Sequence, residues 1–228
     1  MNATRWRNHR LQEAGRSRMS KTTIFLVRHG QTEWNVEHRF QGHQDSPLTE
    51  LGVKQASWLG DSIQNEQIDI IFSSSSNRAR RTAEIIKGNR EIDINESDDL
   101  REMNLGIWEG QKQDAIMELY PEDYDHFWGD PERFQIYAGE TYEEVLSRAV
   151  RKLNQIIADH QGKSILIVTH TVVVKLIMAC FEKRPMNKLW DLPYIHPACL
   201  CKVEVTDNEF NIILHGDISH YQEEAEEG

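Results

Sequence analysis

The chain has 228 residues, 39% of them apolar and 28% charged, the balance of an ordinary globular protein with one large or two small domains. Its formal net charge of −11 argues against a nucleic-acid partner, because a phosphate backbone calls for a basic face. An anionic small substrate would therefore need a local positive pocket inside an acidic surface. No stretch approaches the roughly 18 consecutive apolar residues of a membrane span. Cys180, Cys199 and Cys201 are the only cysteines; with no C-x-x-C spacing they read as free, core-packing thiols of a reducing, cytoplasmic setting rather than a metal or redox pair.

Met1 to Arg18 holds arginines at Arg5, Arg7, Arg10, Arg16 and Arg18 against the single acid Glu13. Such a segment can be a transit peptide, but without apolar periodicity it is better read as a disordered extension over 1–20, with Met19-Ser20-Lys21 opening the domain. Thr23–Arg28 is a short β-branched apolar run and predicts a first strand. Thr49 caps a helix whose apolar face is Leu51, Ala56, Leu59 and Ile63. Ile68–Phe72 predicts a second buried strand, and its serine-rich exit leads into a helix from about Asn77 to Lys87. Glu91–Asn95 predicts a short third strand. Across 106–140, aromatics are interleaved with Pro, Gly and Asp, the pattern of short helices and loops forming a cap. Thr141 and Glu144 have capping-box spacing before a long amphipathic helix to about His160. Ser164–Thr169 predicts another apolar strand, and Val172–Phe181 the helix after it. Lys202–Thr206 and Phe210–Leu214 predict a closing hairpin, followed by an acidic tail over 221–228. Alternation of strand and helix implies an α/β fold with a mostly parallel sheet, as a single domain over 21–220.

Two histidines stand at equivalent places, each directly after a strand: His29 and His170. Open α/β sheets bind ligands outside the carboxyl ends of their strands, so neighbouring strands would bring the two rings together. Arg78, at the start of the helix after the second strand, can reach the same rim.

With these positions in view, Arg28-His29-Gly30-Gln31-Thr32-Glu33-Trp34-Asn35 resembles the R-H-G-x-[ST]-x-x-N signature of the histidine phosphatase superfamily, with its three-layer phosphoglycerate mutase-like fold. Gln41-Gly42 with Asp45 to Thr49, Ser76-Asn77-Arg78-Ala79, Leu100 to Gly106, and Val168-Thr169-His170 match further blocks of that family in order along the chain. The likeness is closest to its small bacterial broad-specificity phosphatases. The resemblance implies His29 as the nucleophile that becomes phosphorylated, Arg28, Arg78 and His170 as donors to the phosphoryl oxygens, and Glu102 as proton donor. Glu33 and Glu109 are alternatives of the same chemical type for that last role. It further implies substrate contacts from Gly30, Gln31, Thr32, Asn35, Gln41, Gly42 and Thr171, the last standing where the family commonly has a smaller residue.

The chemistry is coherent. His29 must be neutral to attack, and the adjacent arginines should hold its pKa low. Arginine forks grip phosphate oxygens, while a carboxyl that both gives and takes a proton needs a raised pKa from burial. Arginines and histidines supply the positive charge, so no metal and no cofactor are expected. The partner expected is a small-molecule phosphomonoester, with the protein a monomer or homodimer. Phosphoglycerate mutase and α-ribazole phosphate phosphatase are alternative activities, and a non-catalytic regulatory binding protein is the alternative of another class. Between Gln111 and Thr141 only Lys112 and Arg133 are cationic among many acids. That favours a phosphatase whose substrate has one phosphate and a neutral or apolar remainder. The histidines His38, His43, His126, His160, His196, His215 and His220 read as surface or capping residues, and the aromatics from Trp108 to Tyr137 as the core of the cap, where some could also meet substrate.

Overall fold

The computed structural model describes residues 21–207 and 209–222. A six-stranded sheet runs in the order β3-β2-β4-β1-β5-β6. It comprises β1 (Thr22–Arg28), β2 (Ile70–Ser74), β3 (Ile94–Ser97), β4 (Ser164–Thr169), β5 (Leu200–Thr206) and β6 (Glu209–Asp217). The first four strands pair in parallel, and β5 closes antiparallel onto β1 with β6 outside it. β1 and β4 are buried along nearly their whole length, as befits central strands covered on both faces.

Strand alternation divides the core. Ile24, Leu26, Ile165 and Ile167 point into one apolar cluster, shared with α6 (Tyr142–Asp159) and α7 (Thr171–Glu182). Phe25, Val27, Leu166 and Val168 point into the other, shared with α2 (Glu50–Ser62) and α3 (Asn77–Lys87). The result is a three-layer α/β architecture. α1 (Glu33–Val36) is a single turn after β1. Residues 106–140 carry α4 (Gln113–Leu119) and α5 (Pro121–Gly129), whose Ile116 and Phe127 join Trp108 and Phe134 in the first cluster.

The local signals hold where caps specify them. The Thr49 hydroxyl accepts from Gly52 N, and the Thr141–Glu144 capping box forms as expected from its spacing. Two strands differ. β2 is displaced toward its serines, because Ser73 and Ser74 are fully buried and extended; β3 likewise begins at Ile94 rather than Glu91. The acidic tail does not begin at Tyr221, which packs on Trp58 at a ring separation of 6.0 Å and donates its hydroxyl to Pro197 O. The expected extension over 1–20 and the rest of the tail, 223–228, lie outside the described residues. No helix among the described residues is long and apolar enough to cross a membrane.

Candidate active site

β1 and β4 are adjacent and in register from Thr23–Ser164 to Arg28–Thr169. The next residue on each is a histidine, so His29 and His170 meet with ring centroids 5.2 Å apart and edge-on at 61°. β2 lies on the other side of β4; its exit delivers Ser76 and then Arg78 at the start of α3. Adjacent parallel strands thus assemble residues far apart in the chain at one sheet edge.

His29 is held in one orientation. Its backbone N–H continues the ladder to Thr169 O at 2.9 Å, and its backbone carbonyl accepts from Ala198 N at 3.0 Å. The ring Nδ1 lies 2.7 Å from Gly30 O, so Nδ1 carries the proton and Nε2 presents a lone pair. Burial first, then the charges of Arg78 and Arg28, push its pKa well below the ordinary histidine value. The arginines act in the direction expected from the sequence, but burial is the larger cause.

Arg78 is 2% exposed and tightly aimed. Its Nη1 donates to Gln44 O at 2.8 Å and Asp45 Oδ1 at 2.9 Å, its Nη2 to Gly42 O at 2.8 Å, and its Nε to His29 Nε2 at 3.3 Å. The loop around Gly42 is itself tied down by Glu109, whose carboxylate accepts from His43 N, Gln44 N and Leu105 N. Glu109 is therefore structural, and Glu33 is exposed on α1. Arg28 gives Nη1 to Ile195 O at 2.7 Å, while its buried Nε has no partner. His170 Nε2 lies 2.8 Å from the Ser74 hydroxyl and 3.2 Å from the Ser76 hydroxyl, either of which can donate to it, and its buried Nδ1 has no partner. Arg28 Nε and His170 Nδ1 are thus two buried nitrogens without a protein partner near His29.

Glu102 lines the same cavity. Its Oε1 accepts from Met103 N at 2.9 Å and its Oε2 from Val172 N at 3.2 Å. Burial nevertheless raises its pKa above the usual carboxylate range, against the pull of those bonds and of Arg78 and Arg148. The α7 N-terminus thus spends the Val172 N–H on Glu102, while Thr171 lines the cavity.

The cavity has a volume of about 370 Å³ and is lined by Arg28, His29, Gln31, Asn35, Gln41, Gly42, Arg78, Glu102 and Thr171 of the expected residues. Gly30, Thr32 and the fully buried His170 do not line it; His170 reaches the site only through its ring against His29. The Gly30 N–H donates to Thr82 Oγ1, and a Cβ there would meet Gly52 O at 2.4 Å, so its glycine character lets α2 approach. Thr32 is 0% exposed and caps α1 through a capping box with Asn35, whose side-chain oxygen is committed to it. Gln41 Oε1 accepts from Ser46 Oγ.

The sequence offers no signal for Trp190, Tyr194 and His196 on the wall, whereas Phe127 and Trp128 belong to the cap aromatics, some of which could serve core and substrate alike. Trp34, Phe127, Trp128, Trp190, Tyr194 and His196 line the cavity, so Phe127 serves both cap core and wall, and His38 and His196 are not merely surface residues. The segment holding Trp190 to His196 precedes β5; because β5 is antiparallel to β1, it comes down at the carboxyl end of β1. An antiparallel partner for β1 was the missing signal. Among the described residues, no group of three His, Cys, Asp or Glu side chains is placed to hold a metal ion.

Comparisons with known proteins agree with this geometry. The Histidine phosphatase superfamily (branch 1) profile matches residues 24–218. The solved structure of YhfR from Bacillus stearothermophilus is 43% identical and superposes with a TM-score of 0.85, covering 87% of this chain and 98% of that one. Phosphoserine phosphatase 1 of Hydrogenobacter thermophilus is 30% identical over 167 residues, 73% of this chain and 79% of that protein. A probable phosphoglycerate mutase, GpmB of Salmonella paratyphi A, is 33% identical over 156 residues, 68% of this chain and 73% of its own length. With a match that spans the sheet, both histidines and the cap, the chain belongs to branch 1 of the histidine phosphatase superfamily.

Proposed function

We propose that the chain hydrolyses small-molecule phosphomonoesters in two steps, through a phosphohistidine at His29 Nε2, without a metal or cofactor. The observation that carries this reading is the opposed tuning of two groups on one cavity: His29 is held neutral with its Nε2 lone pair presented, while Glu102 is held toward its protonated form. Lowering the histidine favours its neutral, nucleophilic form, and raising the carboxyl favours a protonated acid.

In the first step the His29 Nε2 lone pair forms a bond to phosphorus as the bond to the leaving oxygen breaks. Glu102 gives that oxygen its proton, so an alcohol departs. Arg78 Nε, Arg28 Nε and His170 Nδ1 supply donors to the phosphoryl oxygens, where charge develops. In the second step water attacks the phosphorus and gives a proton to Glu102. The P–N bond breaks, and inorganic phosphate leaves neutral His29 and protonated Glu102 as at the start.

The cavity favours hydrolysis over mutase chemistry. Its lining cations are Arg28, Arg78 and Arg39; Arg39 is paired with Glu37 and donates to Gly110 O. Lys112 and Arg133 are absent from the lining, so among the described residues no further cation lines the cavity to clamp a second acidic group. Trp34, Phe127, Trp128, Trp190 and Tyr194 instead suit a neutral aromatic or apolar remainder. The test sets aryl phosphate hydrolysis against phosphoglycerate mutase turnover with 3-phosphoglycerate and its bisphosphate primer. Efficient mutase turnover with negligible hydrolysis overturns the proposal. So does acid-labile, base-stable phosphoprotein that persists in His29→Ala.

A further inference from the structure

Glu102 sits on an irregular stretch between a 3₁₀ turn at Asp98–Leu100 and another at Gly106–Trp108. A carboxyl on such a segment has no helix or strand to aim it, and a proton donor displaced by an ångström loses much of its effect. What holds this segment is Arg148, on α6 and outside the cavity lining. All five of its N–H donors are used. Nε donates to Glu140 Oε1 at 2.8 Å and one Nη2 hydrogen to Glu140 Oε2 at 2.8 Å. Nη1 donates to Asp99 O at 3.0 Å and Arg101 O at 2.7 Å, and the other Nη2 hydrogen to Glu102 O at 2.9 Å.

Glu140 completes the clamp from the cap side. Its Oε2 accepts from Asn104 N at 2.8 Å, and its own N–H donates to Asn104 O at 2.8 Å. The backbone is thus gripped at 99, 101, 102 and 104, on both sides of the proton donor. The Arg148 side chain is only 13% exposed, far more enclosed than a surface pair of little energetic value.

We infer that Arg148, paired with Glu140, is a positioning residue for proton donation: its guanidinium fork fixes the backbone that aims the Glu102 carboxyl at the leaving oxygen. The inference rests on the acid role of Glu102 proposed above. Lysine cannot substitute, because a point ammonium cannot span a carboxylate and three carbonyls.

The test is a leaving-group series. Phosphate esters with alcohols from acidic phenols to simple alkanols are compared by kcat/KM, which reports transfer to His29, for the wild type, Glu102→Gln, Arg148→Lys and Arg148→Met. An ester with an acidic leaving group needs no protonation, so it also serves as the folding control. Both Arg148 variants should stay within about threefold of wild type on that ester and lose about 10- to 100-fold on alkyl esters, part of the full general-acid contribution. Glu102→Gln should show the same slope more steeply. Equal losses on every ester, or rescue by Arg148→Lys, would overturn the inference and leave Arg148 a structural residue or a mere charge. If Glu102→Gln shows no leaving-group dependence, the acid role itself is wrong and the inference falls with it. Should Arg148→Met not fold, Glu140→Gln carries the test, since it weakens the clamp while keeping the three carbonyl bonds; its selective loss on alkyl esters is expected, and a flat profile refutes.

Discussion

Arg78→Lys keeps the charge of the phosphate cradle and removes its shape. The native guanidinium makes four bonds in three directions: toward Gly42 O, toward Gln44 O with Asp45, and toward His29 Nε2. An ammonium on a flexible stem can retain the Asp45 contact, but it cannot also reach carbonyls on either side and the ring. At least two charge-assisted bonds are lost, each about 1.5–3 kcal/mol. For two such bonds the free protein should be destabilised by roughly 3–6 kcal/mol, less whatever water restores at the cavity edge. The catalytic loss is separate. The Nε edge that faces His29 is the one that would donate to the transferring group, and loss of one preorganised donor lowers kcat by about 10²–10³. Initial rates on 4-nitrophenyl phosphate read the second effect, and the urea midpoint reads the first. A variant that keeps kcat within threefold of wild type would show that charge alone suffices, refuting the argument from directed donors.

The pH dependence of stability has a definite sign. His29 and His170 are both held well below the ordinary histidine pKa, chiefly by burial, so the unfolded chain takes up protons that the fold refuses. Their stabilisation is complete above about pH 6.5 and is lost as pH falls toward the folded values, by about 1.4 kcal/mol per pH unit for each group. His43, His196, His215 and His220 shift the same way; the contribution of the site pair is read as the difference in urea midpoint slope between wild type and His29→Asn/His170→Asn over pH 6.5 to 5. Identical slopes would contradict the burial argument. Trp128→Ala removes a wall ring that packs 4.6 Å from Trp190. KM for a naphthyl phosphate should rise about 2- to 13-fold, the worth of one aromatic contact, with little change for a small alkyl phosphate; an equal change in both would remove the wall from substrate recognition. Exhaustive chelation should leave hydrolysis intact, and activity restored only by an added divalent cation would contradict an arginine-based cradle.

The parts of this protein legible in its sequence are those where one residue type has one physical use. The Thr49 and Thr141 caps, the apolar runs Ile24–Val27 and Ile165–Val168 inside β1 and β4, and the glycine and proline breaks around 106–140 each admit a narrow set of local structures. From β1 and β4 alone it follows that His29 and His170 meet, because parallel neighbours align their ends. Ser73 and Ser74 misled in the opposite direction: their polarity suggested a strand exit, yet they are buried inside β2, where Ser74 meets His170 Nε2. Buried hydroxyls look like loop residues until their partner is known. The same reason hid Arg148 and Glu140. On α6 an arginine among acids reads as a solvated face, and only the fold shows that the backbone it grips belongs to the residue before Met103. Trp190 and Tyr194 were hidden by topology, since their place on the wall depends on β5 returning antiparallel along β1. The proposed chemistry of transfer thus rests on short motifs at strand ends. The aim of the acid and the shape of the wall are written in contacts between segments distant in sequence, and those are the positions where the leaving-group and aryl-phosphate experiments discriminate.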